Sequence, residues 1–200
     1  MSIVVEHDKR KKEILERALD VFTDEGYEDT TFRKIAERCG ITRTILYLYF
    51  KNKREIFSYS IKQFTAALEV DIRQMASRDS GSHAQKLYDI LALVLDRCSQ
   101  QRRLLSVIFG YLDHLRRAGG DPDERVRRRT IRMRHILSTL IISGIQSGEF
   151  RRMSVRPATD LIYSLIEAAI FRIVILGQPE AGSLKASGQI VIEGMRTVGS

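Results

Sequence analysis

The sequence predicts an all-α protein. Apolar residues recur at helical spacing, and no segment sustains the period-two pattern of β-branched residues that a half-buried strand requires. Each of the three prolines stands where a helix could begin, so none of them argues against a helix. We therefore predict nine helices, at about residues 8–26, 31–38, 42–49, 52–77, 82–99, 102–118, 122–147, 156–176 and 180–197.

The first predicted helix carries an apolar stripe. Its residues fall at helical spacing, which predicts one buried face: Ile14, Ala18, Val21 and Phe22. Gly26 follows the stripe and is expected to end the helix, because glycine adopts the left-handed conformation of a carboxyl-terminal cap at little cost.

The segment from Thr31 to Phe50 has the spacing of a helix-turn-helix. Ala36 is small where a second helix would cross, and Gly40 lies where the turn needs a positive φ. The aliphatic side chains of the second helix are expected to pack on Ile35; they are Ile41, Ile45 and Leu46.

Capping signals place the later helices. Asn52 and Glu55 have the spacing of a cap for the fourth helix. The run Asp121-Pro122-Asp123-Glu124 predicts the start of a long helix, and Pro157 and Pro179 mark two further starts. The short third helix and the long fourth one suggest a compact head at residues 1–51 and a larger helical body at 52–200.

The composition indicates a basic protein in a reducing compartment. The net charge is +8, which favours a polyanionic partner. Cys39 and Cys98 lack metal-ligand spacing and are expected to be buried thiols. The amino-terminal residues lack a secretory signal, and the apolar run 161–177 contains Glu167 and Arg172, so we expect a cytoplasmic protein that does not enter a membrane.

The motif region resembles the TetR family of bacterial transcriptional regulators over about residues 10–57. The resemblance depends on Gly26-Tyr27, Thr30-Thr31, Ile35-Ala36, Gly40-Ile41 and the closing run Leu46-Tyr47-x-Tyr49-Phe50-Lys51-Asn52-Lys53. It implies a homodimer whose heads enter successive major grooves of a double-stranded DNA operator, and a body that binds a small-molecule effector. The remainder of the chain agrees with the family only in length and helical organisation.

The amino end of the second motif helix is expected to meet the DNA bases. Arg43 is the first choice for a base contact, because a guanidinium can bond a guanine edge in bidentate fashion. Thr42 either caps the helix or contacts a base. Thr44 replaces a frequent family glycine and could either touch a thymine or merely crowd the groove. Arg33 could contact either a base or a phosphate.

Phosphate contacts are expected from four residues by resemblance to the family: Thr31, Tyr49, Lys53 and Tyr47. The alternative for Lys53 is a solvated surface charge. Tyr47 and Phe50 could instead form a stacking platform for single-stranded nucleic acid, although core packing is the favoured interpretation of Phe50.

Lys9-Arg10-Lys11-Lys12 is either an arm that reaches DNA or a solvated face. Residues 1–60 contain twelve Lys and Arg against eleven Asp and Glu, so their net charge is only +1 and the head is basic by placement.

The body is predicted to hold an apolar effector pocket and a dimer interface. The residues proposed for the pocket are Tyr88, Leu91, Leu95, Phe109, Leu112, Met133, Leu137 and Ile166. The last two helices are proposed as the dimer interface, through Leu161, Leu165, Ala168, Ala169, Phe171, Gly188, Ile192 and Met195. The effector could be a drug, a fatty acyl chain or an aromatic metabolite, or the protein could have none.

A basic run between Arg116 and Arg134 has three interpretations. It could be a solvated face paired with neighbouring acids, an anionic effector site or an auxiliary phosphate contact. His114 and His135 lack partners at metal-ligand spacing, and we predict neither a metal nor a cofactor.

A repressor released by its effector is the leading functional hypothesis. Two alternatives are a helical enzyme that uses the body as a substrate pocket and a nonspecific DNA-binding protein. No catalytic constellation in the sequence favours the enzyme.

Overall fold

Nine α-helices make up most of the described chain, which a computed structural model defines for residues 2–120, 123–178 and 182–197. They are α1 (Ser2–Asp29), α2 (Phe32–Cys39), α3 (Arg43–Tyr49), α4 (Lys53–Ala76), α5 (His83–Gln100), α6 (Arg102–Arg117), α7 (Asp123–Gln146), α8 (Val155–Val174) and α9 (Gly182–Glu193). The described residues form no strand beyond one isolated bridge between Phe150 and Arg196. The all-α prediction is therefore confirmed.

The chain divides into two compact units. The first contains residues up to Leu68 together with Ser106–His114, and the second contains Glu69–Leu105 and the residues from Leu115 onward. This division differs from the predicted boundary after residue 51. The first half of α4 belongs with α1, because Ile56 and Phe57 are fully buried. The hydroxyl of Ser60 also donates to the Leu15 carbonyl oxygen at 2.9 Å.

The core of the first unit contains the predicted stripe of α1, all of whose residues are buried. An aromatic cluster extends this core into the Ser106–His114 segment. Tyr27 lies 5.1 Å from Phe57 and 4.5 Å from Tyr111, between ring centroids. Burial, together with the neighbouring Tyr111, raises the pKa of Tyr27 to about 12, so its hydroxyl stays protonated.

Helix α5 is central in the second unit, where it contacts α7, α8 and α9. Gly188 of α9 makes one of these contacts close, since a Cβ atom there would lie 2.2 Å from Cδ2 of Leu91. The ring of Phe150 covers Gly144 in the same way. Both glycines are therefore required by packing against a buried neighbour.

The amino end of α5 is capped from a distant part of the chain. The carboxylate of Glu149 accepts hydrogen bonds from the backbone N–H groups of His83, at 2.7 Å, and Ala84, at 2.9 Å. Burial alone would raise the pKa of Glu149, but these hydrogen bonds outweigh it and the pKa lies below its usual value. The cap joins the turn after α7 to the start of α5.

The observed helix ends refine the predicted ones. Helix α1 begins at Ser2, well before the predicted start, and Gly26 interrupts it with a φ of 84°. Helix α9 ends at Glu193 because the following backbone bonds to the turn after α7: Arg151 N–H donates to the Met195 carbonyl at 3.0 Å. Pro157 lies in the first turn of α8 as predicted, whereas the predicted starts at Asp121-Pro122 and Pro179 lie outside the described residues.

Both cysteines are buried, as predicted. Burial raises the pKa of the Cys98 thiol to about 11, which is typical of an unreactive thiol. None of the helices in the described ranges is both long and apolar enough to span a membrane.

Candidate nucleic-acid interface

Helices α2 and α3 form a helix-turn-helix with a cap at each start. The hydroxyl of Thr31 accepts from Lys34 N–H at 3.3 Å, and that of Thr42 accepts from Ile45 N–H at 3.2 Å. Between the helices, Gly40 has a φ of 65° and ends α2 in the left-handed conformation. The predicted role of Gly40 is confirmed, and the structure shows Thr42 as a cap.

The packing of α3 depends on one side chain. Leu46 is its single fully buried residue, and Ile35 and Ala36 of α2 are buried as well. Ile45 is 40% exposed, and its contact with Ile35 stays a prediction. A helix of seven residues has only about two turns, so only a narrow face of it can pack against its neighbour.

The opposite face of α3 is open to solvent. Arg43 and Thr44 at the amino end are exposed, and so are Tyr47 and Leu48 one turn later. The Tyr47 ring stacks on Phe32 of α2 with 4.6 Å between ring centroids. This face could enter a groove of DNA without disturbing the core.

Ion pairs neutralise much of the basic charge near α2 but not that of α3. Lys34 pairs with Glu25 at 2.6 Å, Arg38 with Asp24 at 3.4 Å, and Arg33 with Glu37 at 3.9 Å. Among the described residues, no acidic side chain pairs with Arg43. The head thus presents one unpaired guanidinium at the amino end of α3. This agrees with the expectation that the head, whose net charge is small, is basic because of where its charges lie.

Tyr49 lies at the carboxyl end of α3, against the extended α1. Its ring stacks on His7 with 4.8 Å between ring centroids. His7 and Arg10 line an open cleft of about 610 Å³ beside Tyr49. Sequence analysis missed His7 because it began the first helix at residue 8.

Lys53 bonds to the backbone at the end of α1. Its ammonium group donates to the backbone carbonyl oxygens of Tyr27 at 2.9 Å, Glu28 at 2.8 Å and Thr30 at 3.1 Å. The group has three N–H donors, and these carbonyls use all of them. A phosphate contact by Lys53 would require breaking one of these bonds, so the contact stays a prediction, and the structure adds the role of holding the end of α1.

The basic run at residues 9–12 lies inside α1, and whether it reaches DNA or forms a solvated face stays a prediction. The ammonium of Lys11 lies over two rings, 5.4 Å from the centroid of Phe50 and 4.8 Å from that of Tyr59. Phe50 is itself buried, which excludes the stacking platform proposed for it and confirms core packing.

The residues predicted for the effector pocket are distributed over both units. Phe109 and Leu112 belong to the first unit and the other six to the second. Leu91, Leu95, Leu137 and Ile166 are buried, whereas Phe109 is exposed. Their role as a pocket stays a prediction.

Part of the predicted dimer interface is packed within the chain. Ala169, Gly188, Ile192 and Met195 are buried inside the protomer and are unavailable to a partner. Leu165 and Ala168 are half-buried, and Leu161 and Phe171 are exposed. Sequence analysis missed three further exposed side chains of this region, Ile175, Leu176 and Ile190.

Two arginines of α7, Arg132 and Arg134, form ion pairs with other helices. Arg134 pairs with Asp160, and its guanidinium lies 4.8 Å from the centroid of the Tyr163 ring. Arg132 pairs with Glu69 at 3.5 Å. These partners are not the neighbouring acids expected, and the role of the basic run as a whole stays a prediction.

The histidines also behave as expected. His114 pairs with Glu28 at 2.5 Å between Nδ1 and Oε1, and His135 is exposed. Within the described ranges no three His, Cys, Asp or Glu residues are grouped as a metal site would require.

The fold and the α2–α3 geometry define a DNA-binding protein of the helix-turn-helix class. The sequence model described as "Bacterial regulatory proteins, tetR family" matches residues 14–59. The chain is 31% identical over 160 residues to the uncharacterized HTH-type transcriptional regulator YfiR of Bacillus subtilis, covering 74% of this chain and 72% of that one. The chain therefore belongs to the TetR family of bacterial transcriptional regulators.

Solved structures agree with this assignment. A TetR transcription regulator from Haloarcula marismortui matches with a TM-score of 0.82 at 18% identity, covering 95% of this chain and all of that one. The transcriptional regulator FadR from Bacillus subtilis in complex with stearoyl-CoA matches with a TM-score of 0.65 at 25% identity, covering 94% and 99% of the two chains.

The position of Lys53 predicts that it acts on folding. We expect Lys53→Met to lower the free energy of unfolding by about 2 to 3 kcal/mol, because three carbonyl oxygens lose a charged donor. Urea unfolding measures this change, and Lys51→Met, at an exposed lysine two residues earlier, is the control. Unchanged stability together with an equal loss of affinity for every duplex would restore the phosphate contact.

Proposed function

We propose that this protein is a dimeric repressor that binds a palindromic operator and is released from it by a small-molecule effector. The observation that carries the proposal is the exposed, unpaired Arg43 at the amino end of α3, beside an exposed Thr44. In helix-turn-helix proteins this end of the second helix meets base edges in the major groove. Among the side chains that the structure describes in the head, none forms an ion pair or a hydrogen bond with either of them.

Base and phosphate contacts divide between different side chains in this proposal. Arg43 forms a bidentate pair with a guanine edge, and Thr44 lies next to it. Thr42 and Arg33 stay candidates for base contact, although the hydroxyl of Thr42 already serves as a cap. Thr31, Tyr47 and Tyr49 are proposed to position the head on the phosphates.

The dimer is proposed to form through exposed apolar side chains of α8 and α9. Leu161 and Phe171 of α8 are exposed, and so is Ile175 at the carboxyl-terminal cap of this helix. Ile190 of α9 is 73% exposed. A patch of this kind on a soluble surface is typical of an interface between subunits, and a symmetric contact would present two heads to a palindrome.

A fatty acyl thioester is the effector class that we propose. Support comes from the FadR relative, whose structure contains stearoyl-CoA and covers nearly the whole of this chain. The buried leucines of α5 and α7 among the predicted pocket residues are of the apolar character that an acyl chain needs. The effector would release DNA by binding more tightly to a state whose heads no longer fit successive grooves.

The base contact is tested by Arg43→Ala. We expect the variant to lose about 1 to 3 kcal/mol of binding free energy at the selected operator and to relax preference at one base position. Fluorescence anisotropy against the operator and its single-base variants measures both effects. Arg152→Ala, at an exposed arginine of the second unit, should change neither. An equal loss for every duplex would instead indicate a phosphate contact and favour nonspecific binding.

The dimer is tested by placing charge on its face. Phe171→Glu and Ile190→Glu should each yield a monomer by analytical ultracentrifugation. Operator binding should weaken by about a hundredfold or more, because a monomer has one head and lacks the avidity of two linked heads. Val70→Glu is the matched control, since Val70 is an exposed apolar residue of α4. If both charged variants sediment as dimers, the interface lies elsewhere.

The effector class is tested by titrating stearoyl-CoA into the protein–operator complex. We expect release of labelled DNA, and we expect coenzyme A alone to have no effect because it lacks the acyl chain. Mass spectrometry of the native protein detects binding independently. Binding without release would contradict the repressor mechanism, and no binding of any acyl chain length would remove the acyl class.

A further inference from the structure

Leu48 has the most exposed large apolar side chain in the described part of the chain. It is 75% exposed, although it belongs to a helix with a core contact. Leu46, two residues earlier, makes that contact and is fully buried. Leu48 therefore contributes nothing to the packing of α3, and its exposure needs another explanation.

The neighbours of Leu48 place it on the DNA-facing side of α3. Thr44 lies one helical turn before it and is exposed. Tyr47, beside it, is 52% exposed and is held in place by its stack on Phe32. Leu48 thus belongs to the same exposed surface as Arg43, and this surface lies away from the core.

We propose that Leu48 is a specificity-determining residue that recognises the 5-methyl group of thymine in the operator. This inference rests on the proposed operator binding. Leucine has no donor or acceptor, so it gains nothing from a phosphate or from the polar edge of guanine or cytosine. The thymine methyl is the apolar feature of the major groove, and apolar side chains contact it. Removing both groups from water stabilises the contact.

The proposal assigns different bases to the two ends of α3. Arg43 at the amino end would select guanine, and Leu48 one turn and a residue later would select thymine. Thr44 also carries a methyl group, so it is the competing residue for the same thymine. Variants at both positions separate the two.

The experiment starts from duplexes that the native dimer selects from a random library. Each thymine of the selected operator is then replaced by deoxyuridine, which removes the methyl group and leaves the hydrogen-bonding pattern unchanged. Affinities are measured for the native protein, Leu48→Ala, Leu48→Met and Thr44→Ala. Val70→Ala is the matched control, because Val70 is an exposed apolar residue outside the first unit.

We expect the native protein to lose about fourfold in affinity for each methyl group removed at one thymine of each half-site. This loss corresponds to the free energy of transferring one methylene group out of water. Leu48→Ala should bind the thymine and deoxyuridine duplexes equally well, whereas Leu48→Met should keep part of the difference. Val70→Ala and Thr44→Ala should keep the full difference in affinity between the thymine and deoxyuridine duplexes.

Three outcomes would overturn the proposal. The native protein could bind every deoxyuridine duplex as tightly as the thymine duplex. Leu48→Ala could retain the full deoxyuridine effect, which would assign the methyl to another residue. Leu48→Ala could also leave DNA binding unchanged and alter only sedimentation, which would place Leu48 in a contact between copies of the chain. Failure of the proposed function is distinct from these, because the native protein would then select no sequence at all.

Discussion

The contact between the Lys53 ammonium and the end of α1 holds the helix-turn-helix in place. Three carbonyl oxygens from the Tyr27–Thr30 segment converge on one cation, which comes from the start of α4. That segment leads directly into the Thr31 cap of α2, and α2 positions α3 through Gly40. The orientation of the DNA-facing helix thus depends on a charge that is used inside the protein.

Much of the fold could be predicted from the sequence, because local signals decide where helices begin and end. The threonine before α3, the asparagine before α4 and Gly40 act within four residues of their partners, and each was found where predicted. The limits of α1 and α9 could not be predicted. The end of α9 depends on backbone hydrogen bonds to the turn near Glu149. The local sequence cannot predict a contact between segments so far apart along the chain.

The candidate site was predictable in part for the same reason. The exposure of Arg43 follows from its place at the start of an amphipathic helix, and that of Leu48 was implied by its spacing from Thr44 but was not recognised. The role of Lys53 depends on carbonyl groups more than twenty residues earlier. The residues predicted for a dimer interface on α8 and α9 include core residues, because small and apolar side chains suit both a subunit contact and internal packing, as Gly188 shows.

The division of α3 into one buried side chain and several exposed ones has an evolutionary consequence. Arg43, Thr44 and Leu48 lie outside the core, so substitutions there would have little effect on whether the protein folds, and at the proposed interface they would change what it binds. Leu46, by contrast, is constrained by packing alone. Duplicated genes encoding such a head could diverge in target preference without passing through unstable intermediates, and the same three positions are where a designer could retarget the protein.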